Sequence, residues 1–146
     1  MGIISDIFLA DNDEKAISFI GENYSSIDKV ELKNLTPLEL SMLWAILLDD
    51  DNNEELTFSL FDEFRSLIEE EEESIYIVPL EFINALLNIE ESQIDVVAEK
   101  WSKKEEMEPH VIFSQEGTIK EIIISLINLA QRAEATSTKM YLFNSL

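Results

Sequence analysis

Ile3-Ile4-Ser5-Asp6-Ile7-Phe8-Leu9-Ala10 is rich in isoleucine, leucine and phenylalanine and alternates loosely in polarity. It reads as a β-strand. Near the other end of the chain, Met140 to Phe143 is apolar again and reads as a terminal strand that pairs with the first. The whole chain, 146 residues, has the length of one domain.

Working inward, Asp11 suits an N-cap, with Glu14 three residues on and an apolar face at Ala16, Ile17 and Ile20. Gly21 is placed to end that helix. Val30, Leu32 and Leu35 alternate with Glu31, Lys33 and Asn34 and suggest a second, short strand. Thr36-Pro37-Leu38-Glu39 is the clearest helix start: a capping threonine, a proline at the first helical position and a glutamate completing a capping box. The helix it opens carries Leu40, Leu43, Trp44, Leu47 and Leu48 and is apolar nearly all round, which implies burial on several sides.

Asp49 to Glu55 ends this helix in an acidic loop. The spacing of Leu60, Phe61, Phe64, Leu67 and Ile68 suits a helix, but Ser74 to Val78 has a strand pattern and Glu69 to Glu73 suits a hairpin tip. The reading is a short helix or loop near Phe58 to Glu63, then strand, acidic turn, strand. Pro79 starts another helix through Phe82, Ile83, Leu86 and Leu87. Ser92 and Asp95 are candidate caps for the next, whose face is Ile94, Val97, Ala98 and Trp101. Met107 to Phe113, broken by Pro109, connects to a last helix opened by Gly117 and Thr118, with Glu121 completing a second capping box. Its core face is Ile119, Ile122, Ile123, Leu126, Ile127 and Ala130. The whole is an α+β single domain over 1–146. It is helix-rich, with a small, mostly antiparallel sheet made of the N-terminal strand, a central hairpin and the C-terminal strand.

Thirty-one acids against ten lysines and arginines give a formal net charge of −21 and a pI near 4.1. With 46% hydrophobic residues the chain still has a core to bury, so the acidity is not that of a disordered segment. Such a surface repels nucleic acid and anionic membrane and attracts cationic company. Between Asp49 and Glu73 stand twelve acids against Arg65 alone, about half of the whole excess. The candidate partner-binding residues are Asp49, Asp50, Asp51, Glu54 and Glu55 in one run and Glu69, Glu70, Glu71, Glu72 and Glu73 in the other. They read either as a docking surface for a basic protein or as two solvated loops that keep the protein soluble.

No residue set defines a reaction. Asp49, Asp51 and Asn53 match the first ligand positions of an EF-hand loop, but Glu54 stands where the turn needs glycine and Leu60 where a bidentate glutamate is required. The chain has no cysteine and one histidine, His110, so a zinc site lacks its usual ligands and no metal or other cofactor is expected. Three scattered glycines, Gly2, Gly21 and Gly117, build no phosphate loop. Lys100, Lys103 and Lys104 form a basic cluster offset by Glu105 and Glu106. Trp44 and Trp101 fall on apolar faces and read as core; Tyr141 and Phe143 read as core or as an anchor for a partner. The N-terminus meets Asp6 without a basic region, so a signal peptide is not expected, and Leu43 to Leu48 is too short to span a bilayer. The expected location, by elimination, is the cytoplasm.

Met1-Gly2-Ile3-Ile4-Ser5-Asp6-Ile7, the box Leu35 to Leu40 leading into Leu43-Trp44-Ala45, Ala98-Glu99-Lys100-Trp101 and the ending Tyr141-Leu142-Phe143-Asn144 together resemble a group of small uncharacterised bacterial proteins of about this length. The resemblance spans nearly the whole chain and implies a single bacterial cytoplasmic domain, with no activity to transfer. The leading functional expectation is a non-catalytic acidic module that docks a basic protein, as bacterial immunity proteins dock nuclease toxins. The alternatives are a small enzyme of a class without a short motif, or a DNA mimic.

Overall fold

Five antiparallel strands, in the order β2-β1-β5-β4-β3, form one sheet in the computed structural model, which describes residues 3–20, 28–108 and 118–146. The strands are β1 (Ile4–Ala10), β2 (Lys29–Lys33), β3 (Arg65–Glu69), β4 (Glu73–Ile77) and β5 (Lys139–Ser145). The two chain ends pair at the centre of this sheet, with Ile7 opposite Leu142 and Phe8 opposite Tyr141. The helices are α1 (Asp13–Ile17), α2 (Pro37–Leu47), α3 (Glu54–Asp62), α4 (Leu80–Leu87), α5 (Ile94–Ser102) and α6 (Thr118–Thr136). The architecture is the α+β arrangement read from the sequence.

Because side chains alternate across a strand, β1 and β5 feed two cores. Ile7, Leu9, Met140 and Leu142 face the larger one, built with α2, α4, α5 and α6 and containing Trp44 and Trp101. Phe8, Tyr141 and Phe143 face the smaller one, covered by Ala16 of α1 and by Phe19 in the single turn Ser18–Ile20 that follows. Phe19 stacks on Phe8 with ring centroids 4.0 Å apart. Of the two readings of Tyr141 and Phe143, the structure takes core. The Tyr141 hydroxyl donates to Asp13 Oδ1 at 2.7 Å, which ties α1 to the sheet, and burial raises its pKa well above the ordinary 10.

Local signals differ from the sequence reading in three places. The N-cap of α1 is Asn12, whose side chain accepts from Lys15 N–H; Asp11 lies one residue too early and pairs with Lys15 Nζ instead. Neither Ser92 nor Asp95 caps α5. Glu90 and Gln93 form a reciprocal box around the single turn Glu91–Gln93, which leads straight into α5, and Asp95 pairs with Lys120. Glu54 and Glu55 are the first turn of α3 rather than loop, because Asn53 caps that helix. Gly21, Pro109, His110 and Gly117 lie outside the described residues.

The capping box of α2 is as read. Thr36 Oγ1 accepts from Leu38 N–H, and the Glu39 carboxylate accepts from Thr36 N–H. Two long-range bonds then fix the helix. Leu35 N–H donates to buried Ser5 Oγ on β1, and Trp101 Nε1–H on α5 donates to the Glu39 carbonyl at 3.1 Å. The first anchors the start of α2 to the sheet; the second locks α5 across it.

Candidate functional site

The first acidic run begins where α2 ends. Leu48 is the C-cap, and Asp49 follows in the left-handed conformation with φ 60°. Asp49 N–H bonds to the Ile46 carbonyl and Asp50 N–H to the Ala45 carbonyl. This double closure is the Schellman motif, with an aspartate where glycine is usual. Three residues later Asn53 caps α3, and its side-chain amide also donates to Asp50 Oδ2 at 3.0 Å. Asp49 to Asn53 is therefore one tight turn that closes one helix and opens the next.

Electrostatics across this turn are asymmetric. Asp49, Asp50 and Asp51 sit at the negative end of α2, an unfavourable place for carboxylates, whereas Glu54 and Glu55 sit at the favourable N-terminus of α3. The basic cluster at the end of α5 offsets the unfavourable half. Lys100 Nζ lies 3.8 Å from Asp49 and 3.9 Å from Asp51, and Lys104 Nζ donates to the Asp51 carbonyl at 2.6 Å. Lys103 pairs with Glu99 at 3.2 Å. The three residues that mimic the start of a calcium loop are thus engaged otherwise: two carboxylates face Lys100 and Asn53 is a cap.

The turn forms a ridge between two open grooves. On one side a groove of about 600 Å³ runs between α2, α4 and α5, with Asp49 and Lys100 on its edge and two exposed apolar side chains, Leu48 (48%) and Val96 (55%). On the other a groove of about 500 Å³ is bordered by Asp51 and Glu54 and by Glu105 and Glu106 of the turn Glu105–Met107, over Leu38, Met42 and the 64% exposed ring of Phe58. Sequence reasoning found the acids and gave Phe58 no role. The signal was there: Leu56 and Leu60, four apart, make the inward face of α3, and Phe58 falls two residues off it.

The second run is the tip of the β3–β4 hairpin. Glu70 N–H closes the turn on the Glu73 carbonyl, and Leu146 N–H donates to the Glu72 carbonyl. Glu69 to Glu72 are exposed. Among the described residues no ion pair reaches Glu54, Glu55 or any of Glu69 to Glu73, and none joins the two runs.

A carboxylate elsewhere stands out. Asp6 is 7% exposed on β1, directly opposite Glu31 of β2. Burial raises its pKa above the ordinary value; Lys29 pulls it back and Glu31 pushes it further up. It borders an open groove at the sheet edge with Ile4, Glu31 and Lys33, not a closed apolar pocket. Among the described residues no helix is long and apolar enough to cross a membrane.

No family model and no curated protein matches the chain. Among solved structures the chain is similar to a protein of unknown function, YfbM from Escherichia coli, with 13% identity over 98% of this chain and 99% of that one and a TM-score of 0.49.

Proposed function

We propose that this protein is a non-catalytic docking module of the bacterial cytoplasm that takes a basic protein, not nucleic acid, onto the acidic ridge of Asp49 to Glu55. The observation that carries this reading is the ridge itself: a run of five carboxylates, of which Glu54 and Glu55 have no ion pair among the described residues, between two grooves with exposed apolar side chains. Such a patch has the make-up of an interface, with apolar contact area for affinity and a charged rim for orientation. The hairpin tip, Glu69 to Glu73, adds a second source of negative field that draws a cationic partner in and is screened by salt.

An arginine-rich peptide labelled with a fluorophore, mixed with the protein at low ionic strength, tests the steering. Replacing Glu69, Glu70, Glu71, Glu72 and Glu73 with Gln slows association about tenfold and flattens its salt dependence. Association at the unaltered rate would contradict the proposal.

A further inference from the structure

The groove between α2, α3 and the Glu105–Met107 turn has a composition that selects among basic partners. Its floor is apolar, with Leu38 and Met42, and beside them lies the exposed ring of Phe58. Its rim carries Glu54, Glu105 and Glu106, all exposed and without an ion pair among the described residues. The two lysines at the rim form no ion pair with them: Lys103 pairs with Glu99 and Lys104 donates to the Asp51 carbonyl, so four carboxylates, Asp51 included, outnumber two ammonium groups around the groove.

We infer that this groove seats an arginine side chain from a basic segment of the partner, its guanidinium on the Phe58 ring and among the carboxylates of Glu54, Glu105 and Glu106. The inference rests on the docking reading above and adds the chemistry of the anchor. Charge complementarity selects a cation. The exposed ring then selects arginine over lysine: the guanidinium is planar, weakly hydrated and stacks on an aromatic face, while its fork matches carboxylates. The methylene stem of arginine finds apolar surface on Leu38 and Met42.

The test is fluorescence anisotropy with three short synthetic peptides that differ only in carrying arginine, lysine or uncharged citrulline at the same positions. The native protein is expected to bind the arginine peptide at least about threefold more tightly than the lysine peptide, and citrulline weakest of all. Phe58→Ala, an exposed position whose loss leaves the unfolding midpoint nearly unchanged, erases the preference for arginine and weakens its binding about fivefold; Phe58→Tyr keeps both. If Phe58→Ala retains the arginine preference, or citrulline binds as tightly as arginine, the anchor is wrong. The hairpin variant separates the two claims. It slows the arginine and lysine peptides alike and leaves their ratio intact, so an unaltered rate there sinks the steering while the ratio still decides the anchor.

Discussion

Asp6 shows what one buried carboxylate does to this fold. It sits in the middle of a central strand, with Phe143 on one neighbour and Glu31 on the other, and desolvation disfavours its charged form. The folded protein therefore holds the Asp6 proton more tightly than the unfolded chain does. The stability this group contributes is complete below its ordinary value of 3.8 and is lost as the pH rises through the raised value. Asp6→Asn is accordingly expected to raise the urea midpoint at pH 7, and the gain shrinks to nothing as the pH falls below 3.8, read from denaturation curves across that range. The charge itself was visible in the sequence as an acid inside an apolar strand. Its burial was not, because that depends on Phe143 and Lys29, which only strand pairing brings alongside.

At the level of elements, four hydrogen bonds converge on the start of α2: the two of the capping box, Leu35 N–H to Ser5 Oγ, and Trp101 Nε1–H to the Glu39 carbonyl. The part that bears on function is the other end. There the ridge depends on Lys104, whose ammonium reaches the Asp51 carbonyl 53 residues away in sequence. Lys104→Met keeps the stem and removes that bond. Amide exchange at Asp50 and Asn53, whose N–H groups close the turn, is expected to quicken about tenfold. Global stability falls by less than about 1 kcal/mol, as for other partly exposed charges. A turn that exchanges at its native rate in the variant would show that the lysine is no brace. The box at Thr36 and the hairpin around Glu69 to Glu73 were legible because their signals are local. The caps at Asn12 and Glu90 were missed because a neighbouring acid or serine carries the same signal one or two residues away, and only backbone geometry decides between them.

For the whole molecule, the surplus of 21 negative charges is spread over a body with a filled core on one face of the sheet and an aromatic cluster on the other. The acidic runs could be read from the chain; the grooves beside the ridge could not. Leu38, Phe58 and Glu105 share one groove only because α2, α3 and the turn after α5 pack together. What matters is therefore whether the place of the charge counts, or merely its amount. The most direct measurement sets two variants of equal net charge side by side against the arginine peptide. One is Asp50→Asn with Glu54→Gln and Glu55→Gln, on the ridge; the other is Glu14→Gln, Glu81→Gln and Glu134→Gln, exposed positions elsewhere. The ridge variant is expected to lose about tenfold in affinity at an ionic strength near 0.15 M while the other loses less than about threefold. Equal losses in the two would contradict the proposal, since the peptide would then be reading total charge and not a docking face.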